Sequence, residues 1–361
     1  MKIEIITSYF EPYKGGIENV VLHYAEGLGR LGHKVCVHTG DSTPGGTYKN
    51  LPRYEKHKYY VVKRYKIFPY SLFFPKLIYE DSIVSLHNYS CLMNDYVSLM
   101  YPGRKKVLSP YGNISYDLNQ RQHQNLAPIY DKLIGRRTLD AVDKIVAMTS
   151  HEKKGIIKKY PNLKSKVSIV PAGIDFIKIN PPTVKRRFSF KYFISVGRIT
   201  HTKRFEDVLS IMKDFPDYHY VLAGRDIGHA QVLLKLATDL GIEKRFHYVG
   251  EVSEKEKVSL LHNGDIFIMP DSANAFGIAN LEAFYYLGRV IATRSGGIVE
   301  LSKELGGELY KVGNLNGLKN ALKIEFDKKL DKNLLAKKRK IIEDKYSWDS
   351  VVKEYEKILL K

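Results

Sequence analysis

Residues 265–283 read Asp265-Ile266-Phe267-Ile268-Met269-Pro270-Asp271-Ser272-Ala273-Asn274-Ala275-Phe276-Gly277-Ile278-Ala279-Asn280-Leu281-Glu282-Ala283. Asp265–Met269 is too short and too apolar for an exposed helix and reads as a buried strand. The proline and glycine that follow mark a turn, and a helix starts near Phe276–Ala279. The free N–H groups of such a helix start form an anion site suited to a diphosphate. Glu282 falls about one turn into the helix, where its carboxylate can accept hydrogen bonds from vicinal hydroxyls such as those of a ribose. Taken alone, the stretch is equally well read as an ordinary strand–helix unit. Val290-Ile291-Ala292-Thr293, followed by Gly296-Gly297 and Ile298-Val299-Glu300-Leu301, continues the pattern.

Upstream the grammar is the same. Lys191–Val196, Tyr218–Ala223 and Phe246–Val249 read as strands, and Arg204–Met212, Ala230–Leu240 and Lys255–Asn263 as the helices between them. The first half alternates likewise. Strands are expected at Lys2–Thr7, Lys34–His38, Ser82–His87, Lys106–Ser109, Lys144–Thr149 and Lys166–Pro171, with a helix over Gly16–Leu31. Short apolar strands separated by helices favour parallel sheets over a sandwich. Asn180–Arg187 has two prolines, a charge run and no periodicity, which marks a linker. The fold class expected is therefore α/β, two Rossmann-like doubly wound domains, 1–180 and 181–345. Residues 346–361 form a terminal amphipathic helix. Ligands of such sheets bind beyond the carboxyl ends of the strands, so two domains facing one another place a site in the cleft between them.

The chain has 361 residues, 44% hydrophobic and 27% charged, which excludes a disordered or collagen-like protein. Cys36 and Cys91 are too few for a disulfide framework and lack the spacing of a zinc site, so a reducing, cytoplasmic setting is expected. The start Met1–Ile6 carries Glu4 in its apolar run and reads as a strand, not a signal peptide; no run approaches the length of a spanning helix. Net charge is +19, with 26 Lys and Arg against 15 Asp and Glu in residues 1–176. The densest basic-aromatic stretch, Tyr59–Lys76, suits an anionic membrane surface, or is a strand with one solvated face. No nucleic-acid module accompanies the charge, so nucleic acid is not expected as a partner.

Ser195-Val196-Gly197-Arg198-Ile199-Thr200-His201-Thr202-Lys203 sets two cations five residues apart after a strand. Two fixed cations stabilise the charge that develops on a departing diphosphate more than they stabilise its ground state. A solvated basic loop is the simpler alternative. Gly15-Gly16, joining the first strand to the first helix, leaves backbone open to close approach but lacks the full dinucleotide fingerprint.

In this order, these segments resemble glycosyltransferase family 4, retaining sugar transferases with the GT-B fold. The resemblance rests on Gly15-Gly16-Ile17-Glu18, Gly32-His33-Lys34-Val35, Val170-Pro171-Ala172-Gly173-Ile174-Asp175, Gly197-Arg198 with Lys203, Phe276-Gly277 with Leu281-Glu282-Ala283, Gly296-Gly297 with Glu300-Leu301, and Tyr346-Ser347-Trp348. It implies that Arg198 and Lys203 grip the diphosphate of a nucleotide-sugar donor, a UDP- or GDP-sugar foremost, and act catalytically. It implies that Glu282 binds the ribose and that Phe276, Gly277, Ile278 and Ala279 offer backbone N–H groups to phosphate. Gly15 and Gly16 then lie near the donor phosphates and the acceptor. The terminal helix 346–361 packs back on the first domain. No cofactor or essential metal is implied, and no Asp-x-Asp pair is present. The acceptor implied is a glycan or lipid-linked molecule, with peripheral contact at the inner face of an anionic membrane; a soluble acceptor fits the letters equally.

Three positions depart from the family pattern. Asn274 stands where the first glutamate of an E-x7-E pair, which contacts the donor sugar, is usual. Tyr111 stands where the family commonly has a histidine near the reacting sugar, with His87 as the other candidate for that role or as a structural histidine. Ala172 replaces the usual asparagine of the Val-Pro-Asn-Gly segment. These departures keep two alternatives open: a non-catalytic sugar-nucleotide binder, and a GT-B enzyme of other chemistry such as a sugar-nucleotide epimerase.

Overall fold

The computed structural model describes residues 1–13, 15–42, 51–68, 72–112, 114, 127–176, 186–272, 276–328 and 331–361. They divide into two compact units, Met1–Gly173 with Trp348–Lys361, and Ile174–Ser347.

Unit 1 runs β1 (Lys2–Ile6), α1 (Gly16–Arg30), β2 (Lys34–Gly40), β3 (Tyr54–Lys56), β4 (Tyr60–Tyr65), β5 (Ser82–His87), α2 (Leu92–Met100), β6 (Lys106–Ser109), α3 (Ala127–Tyr130), a π-helical turn Asp131–Gly135, α4 (Arg136–Ala141), β7 (Lys144–Ala147), α5 (Ser150–Lys159) and β8 (Val167–Ile169). The sheet order is β3-β4-β2-β1-β5-β6-β7-β8, parallel throughout except for β3 against β4. Its central strands are buried along their length, which is why they read as short, mainly apolar runs. Glu4 interrupts β1 and is nonetheless fully buried. Its carboxylate accepts the Ile78 and Tyr79 N–H groups and the Ser82 hydroxyl and meets His38 Nε2 at 2.6 Å, tying the 78–82 segment under the sheet. The sequence offers no sign of β3, an edge strand of three residues.

Unit 2 runs β9 (Lys191–Val196), α6 (Glu206–Ile211), β10 (Tyr218–Ala223), α7 (Ala230–Asp239), β11 (Phe246–Gly250), α8 (Glu254–Asn263), β12 (Ile266–Met269), α9 (Ile278–Tyr286), β13 (Val290–Thr293), α10 (Ile298–Leu305), β14 (Glu308–Tyr310), α11 (Leu315–Asp327) and α12 (Lys332–Tyr346). Its six strands are all parallel in the order β11-β10-β9-β12-β13-β14.

Where the sequence suggests breaks at 180/181 and 345/346, the units divide at 173/174 and 347/348. The reason is local: the Ile174 N–H donates to the Tyr346 carbonyl at 2.9 Å, so these two segments travel together in unit 2. Residues 177–185, which include 180–185 of the expected 180–187 linker, lie outside the described residues. The last helix, α13 (Trp348–Leu360), packs along α1 in unit 1. Trp348 stacks on His23 at 4.1 Å, Tyr355 on Tyr24 at 4.0 Å, and Glu356 meets His33 at 2.6 Å. Gly173 is a glycine for want of space, since a Cβ there would sit 2.6 Å from the Trp348 ring.

Candidate functional site

In unit 2 the chain leaves β9 for β10 and β11 on one side, then returns to place β12 on the other. The loops after β9 and β12 therefore leave the carboxyl edge at the topological switch point, where doubly wound sheets bind ligands. Gly197, Arg198 and Lys203 follow β9; Asp271 through Glu282 follow β12. The two loops are sewn together, because the Ser272 N–H and hydroxyl both donate to the Thr202 carbonyl, at 3.0 and 2.9 Å. Lys203 forms an ion pair with Asp271, whose side chain is almost fully buried. The Asp271 carbonyl in turn accepts the hydroxyls of Thr293 and Ser295 from the end of β13. Arg198 is exposed. Arg204, the next cation along, is turned away into a bidentate pair with Asp207 and takes no part.

The start of α9 is shaped by Gly277, whose φ of +88° a side chain would resist. The Asn280 and Leu281 N–H groups return to the Gly277 carbonyl, so those of Ile278 and Ala279 are the ones without an intrahelical acceptor. Phe276 buries its ring and can offer only backbone. Glu282, also buried, has its carboxyl pushed up by burial, an effect opposed by the Lys257 ammonium 2.8 Å from its Oε1. Lys257 also holds Glu254 at 2.7 Å. Burial acts to lower its pKa, but the two carboxylates outweigh that and leave it raised. Asn274 lies outside the described residues.

The other expected site residues belong to unit 1, at the carboxyl ends of β1, β5 and β6. Gly15 caps α1 in an extended conformation. Gly16 has open space where a side chain would be, the room for close approach that the sequence suggests. His87 and Tyr111 do meet: His87 Nδ1 shares a 2.5 Å hydrogen bond with the Tyr111 hydroxyl, while His87 Nε2 shares one of 2.8 Å with Ser85, which continues to Tyr355 of α13 at 2.6 Å. Burial lowers the His87 pKa to about 3 and raises that of Tyr111, so both are neutral and turned into the fold. Tyr111 adopts a φ of +54° and is followed by Gly112, whose N–H donates to Glu152 at 2.5 Å. Glu152 also accepts the Met148 N–H at 2.8 Å, and its own N–H is capped by Thr149.

The sequence alone gives no role to Asp271, Lys257 or Glu152. Thr149-x-x-Glu152 is a capping-box spacing that could have flagged Glu152. Lys257, within Glu254-Lys255-Glu256-Lys257, has only the look of a solvated helix face. Glu4, Cys36 and His38 bring three potential metal ligands within 4.8 Å of one another. The carboxylate is already occupied by backbone donors and burial pushes the thiol up to about 12, so the cluster suits a structural tie better than an ion. No helix among the described residues is long and apolar enough to cross a membrane.

Two family models together span nearly the whole chain: "Glycosyltransferase Family 4" over residues 14–177 and "Glycosyl transferases group 1" over 181–357. A phosphatidylinositol N-acetylglucosaminyltransferase component from Arabidopsis thaliana is 21% identical over 323 residues, covering 83% of this chain and 69% of that one. Several D-inositol 3-phosphate glycosyltransferases match over less than half of their own length. Among solved structures, a sucrose-phosphate synthase from Thermosynechococcus elongatus superposes with a TM-score of 0.79 at 15% identity, over 99% of this chain and 98% of that one. Anabaena Alr3699/HepE in complex with UDP and glucose superposes with a TM-score of 0.75 at 15% identity, over the whole of both chains.

Proposed function

The chain belongs to glycosyltransferase family 4 and has the GT-B fold, and from that premise we propose that it transfers a sugar from a nucleotide-diphosphate sugar to an acceptor hydroxyl with retention at the anomeric carbon. The observation that carries the proposal is the β9/β12 switch point, where one carboxyl edge bears Arg198, Lys203 and the first N–H groups of α9, with Glu282 a turn further on. Unit 2 binds the donor there, with the diphosphate on the two cations and the helix start. As the bond from the sugar to phosphate breaks, the charge on the leaving oxygen is met by Arg198 and Lys203, so no essential metal is required. The acceptor oxygen bonds to the same face of the sugar and its proton passes to the departing phosphate.

The Anabaena structure with UDP and glucose supports a uridine donor, with a GDP-sugar as the other candidate. The Arabidopsis relative, named for phosphatidylinositol, supports a lipid-linked acceptor. Unit 1 binds that acceptor near Gly15 and Gly16, and His87 positions the Tyr111 turn. Phe68 and Phe74, both exposed and 6.5 Å apart between ring centres, stand among Lys66 and Lys76 as the contact with an anionic cytoplasmic membrane face.

The test is release of free nucleoside diphosphate from UDP-, GDP-, ADP- and dTDP-sugars, with and without a chelator, the anomer of the released sugar being read by NMR. Release from one donor, unchanged by chelator and with retained configuration, supports the proposal. A metal requirement or an inverted product contradicts it. A second reading, a non-catalytic sugar-nucleotide binder, is favoured by the inward pairing of His87 with Tyr111; it predicts donor binding without release.

A further inference from the structure

Between α8 and α9 lies a charged trio for which the fold alone gives little reason. The Lys257 ammonium has three N–H groups; one goes to Glu282 Oε1 at 2.8 Å and one to Glu254 Oε2 at 2.7 Å. The side chains of Lys257 and Glu282 are only 15% and 11% exposed, whereas that of Glu254 is 68% exposed. A buried ion pair is a poor way to join two helices, because desolvation offsets its attraction and apolar residues of similar volume serve as well. What the pair offers instead is a donor and an acceptor side by side, with the third ammonium N–H uncommitted among the contacts described. Vicinal hydroxyls have the complementary pattern: one O–H donates to the carboxylate while the neighbouring oxygen accepts from the ammonium. Glu282 lies four residues beyond Ile278, about 6 Å along the helix axis, a separation that suits a phosphate at the helix start and a ribose beside the pair.

We infer that Lys257 is a specificity-determining residue of the donor site, reading the ribose diol together with Glu282 and so distinguishing ribo- from 2′-deoxyribonucleoside diphosphates. The inference rests on the assignment of donor binding to unit 2. A missing hydroxyl removes one hydrogen bond to this charged, mostly buried pair, a loss that a polar site discriminates against.

The experiment is isothermal titration of the full chain with UDP, GDP and ADP and with their 2′-deoxy analogues. The parent is expected to bind one ribonucleotide roughly 10- to 100-fold more tightly than its 2′-deoxy form, the range of one hydrogen bond to a charged group. Lys257→Met is expected to lose most of that preference and Lys257→Arg to keep most of it. If Lys257→Met does not fold, Lys257→Gln, uncharged and shorter by one bond, is read by the same ratio. A variant that keeps the parent's preference, or that weakens ribo and deoxy forms equally, overturns the inference and leaves Lys257 a structural tie. A parent that binds no nucleoside diphosphate overturns the donor assignment, and the inference with it.

Discussion

Lys203 is already paired with Asp271, whereas Arg198 stands in solvent, and this difference separates two variants of the charge pair proposed to hold a donor diphosphate. Arg198→Ala removes an exposed side chain, so its melting temperature should stay close to the parent's while turnover of the donor falls about 100- to 1,000-fold. Lys203→Met should lose turnover and also stability, by about 3–5 kcal/mol, because the buried Asp271 carboxylate is left without its ammonium. Melting curves beside donor-release rates distinguish them. In unit 1 two buried groups titrate in opposite senses. His87 is held down to about 3 by burial, so its contribution to stability is full above pH 6.5 and is lost as pH falls toward 3. Glu152 is pushed up to about 7 by burial, so its contribution is full below pH 4.5 and is lost as pH rises through 7. Melting temperature against pH should therefore lose part of its acid limb in His87→Gln and part of its decline between pH 4.5 and 7 in Glu152→Gln. At this scale Arg198, Lys203 and Glu282 stand out in the sequence because each lies in a local motif. Asp271 and Lys257 acquire meaning only from partners 68 and 25 residues away.

At the scale of elements, the start of α9 depends on Gly277. Gly277→Ala should cost about 1–2 kcal/mol through the left-handed conformation and weaken donor binding by shifting the Ile278 and Ala279 N–H groups. Gly173→Ala should destabilise unit 1, where the Trp348 ring leaves no room, without touching the donor site proposed for unit 2. Melting temperature and nucleotide titration of the two variants check this contrast. The strands Ser82–His87, Lys106–Ser109, Lys191–Val196 and Tyr218–Ala223 were legible to the residue, because strands covered on both faces are short, mainly apolar runs bounded by charge or turns. β3 was not, being a short edge strand that a neighbour imposes. The left-handed turn at Tyr111 was also hidden, since it is held by His87 and Glu152 from other strands and helices.

For the molecule as a whole, repetition of one strand–helix grammar on both sides of the proline-bearing 180–187 stretch made two doubly wound sheets legible. The strand order, and with it the position of each switch point, needed the pairing itself. The net charge of +19 and the exposed Phe68 and Phe74 bear on the proposed membrane contact. Sedimentation with phosphatidylglycerol vesicles should weaken as salt rises from about 0.1 to about 0.5 M and weaken further in Phe74→Glu; binding indifferent to both would count against that surface. The donor site proposed at the β9/β12 switch point is probed most sharply by titrating UDP- and GDP-sugars into the parent, Arg198→Ala and Glu282→Gln. One donor should bind the parent and bind each variant at least about tenfold more weakly, the value of one charge-assisted hydrogen bond. Binding of equal strength in all three proteins, or no binding to the parent, would contradict a donor site there.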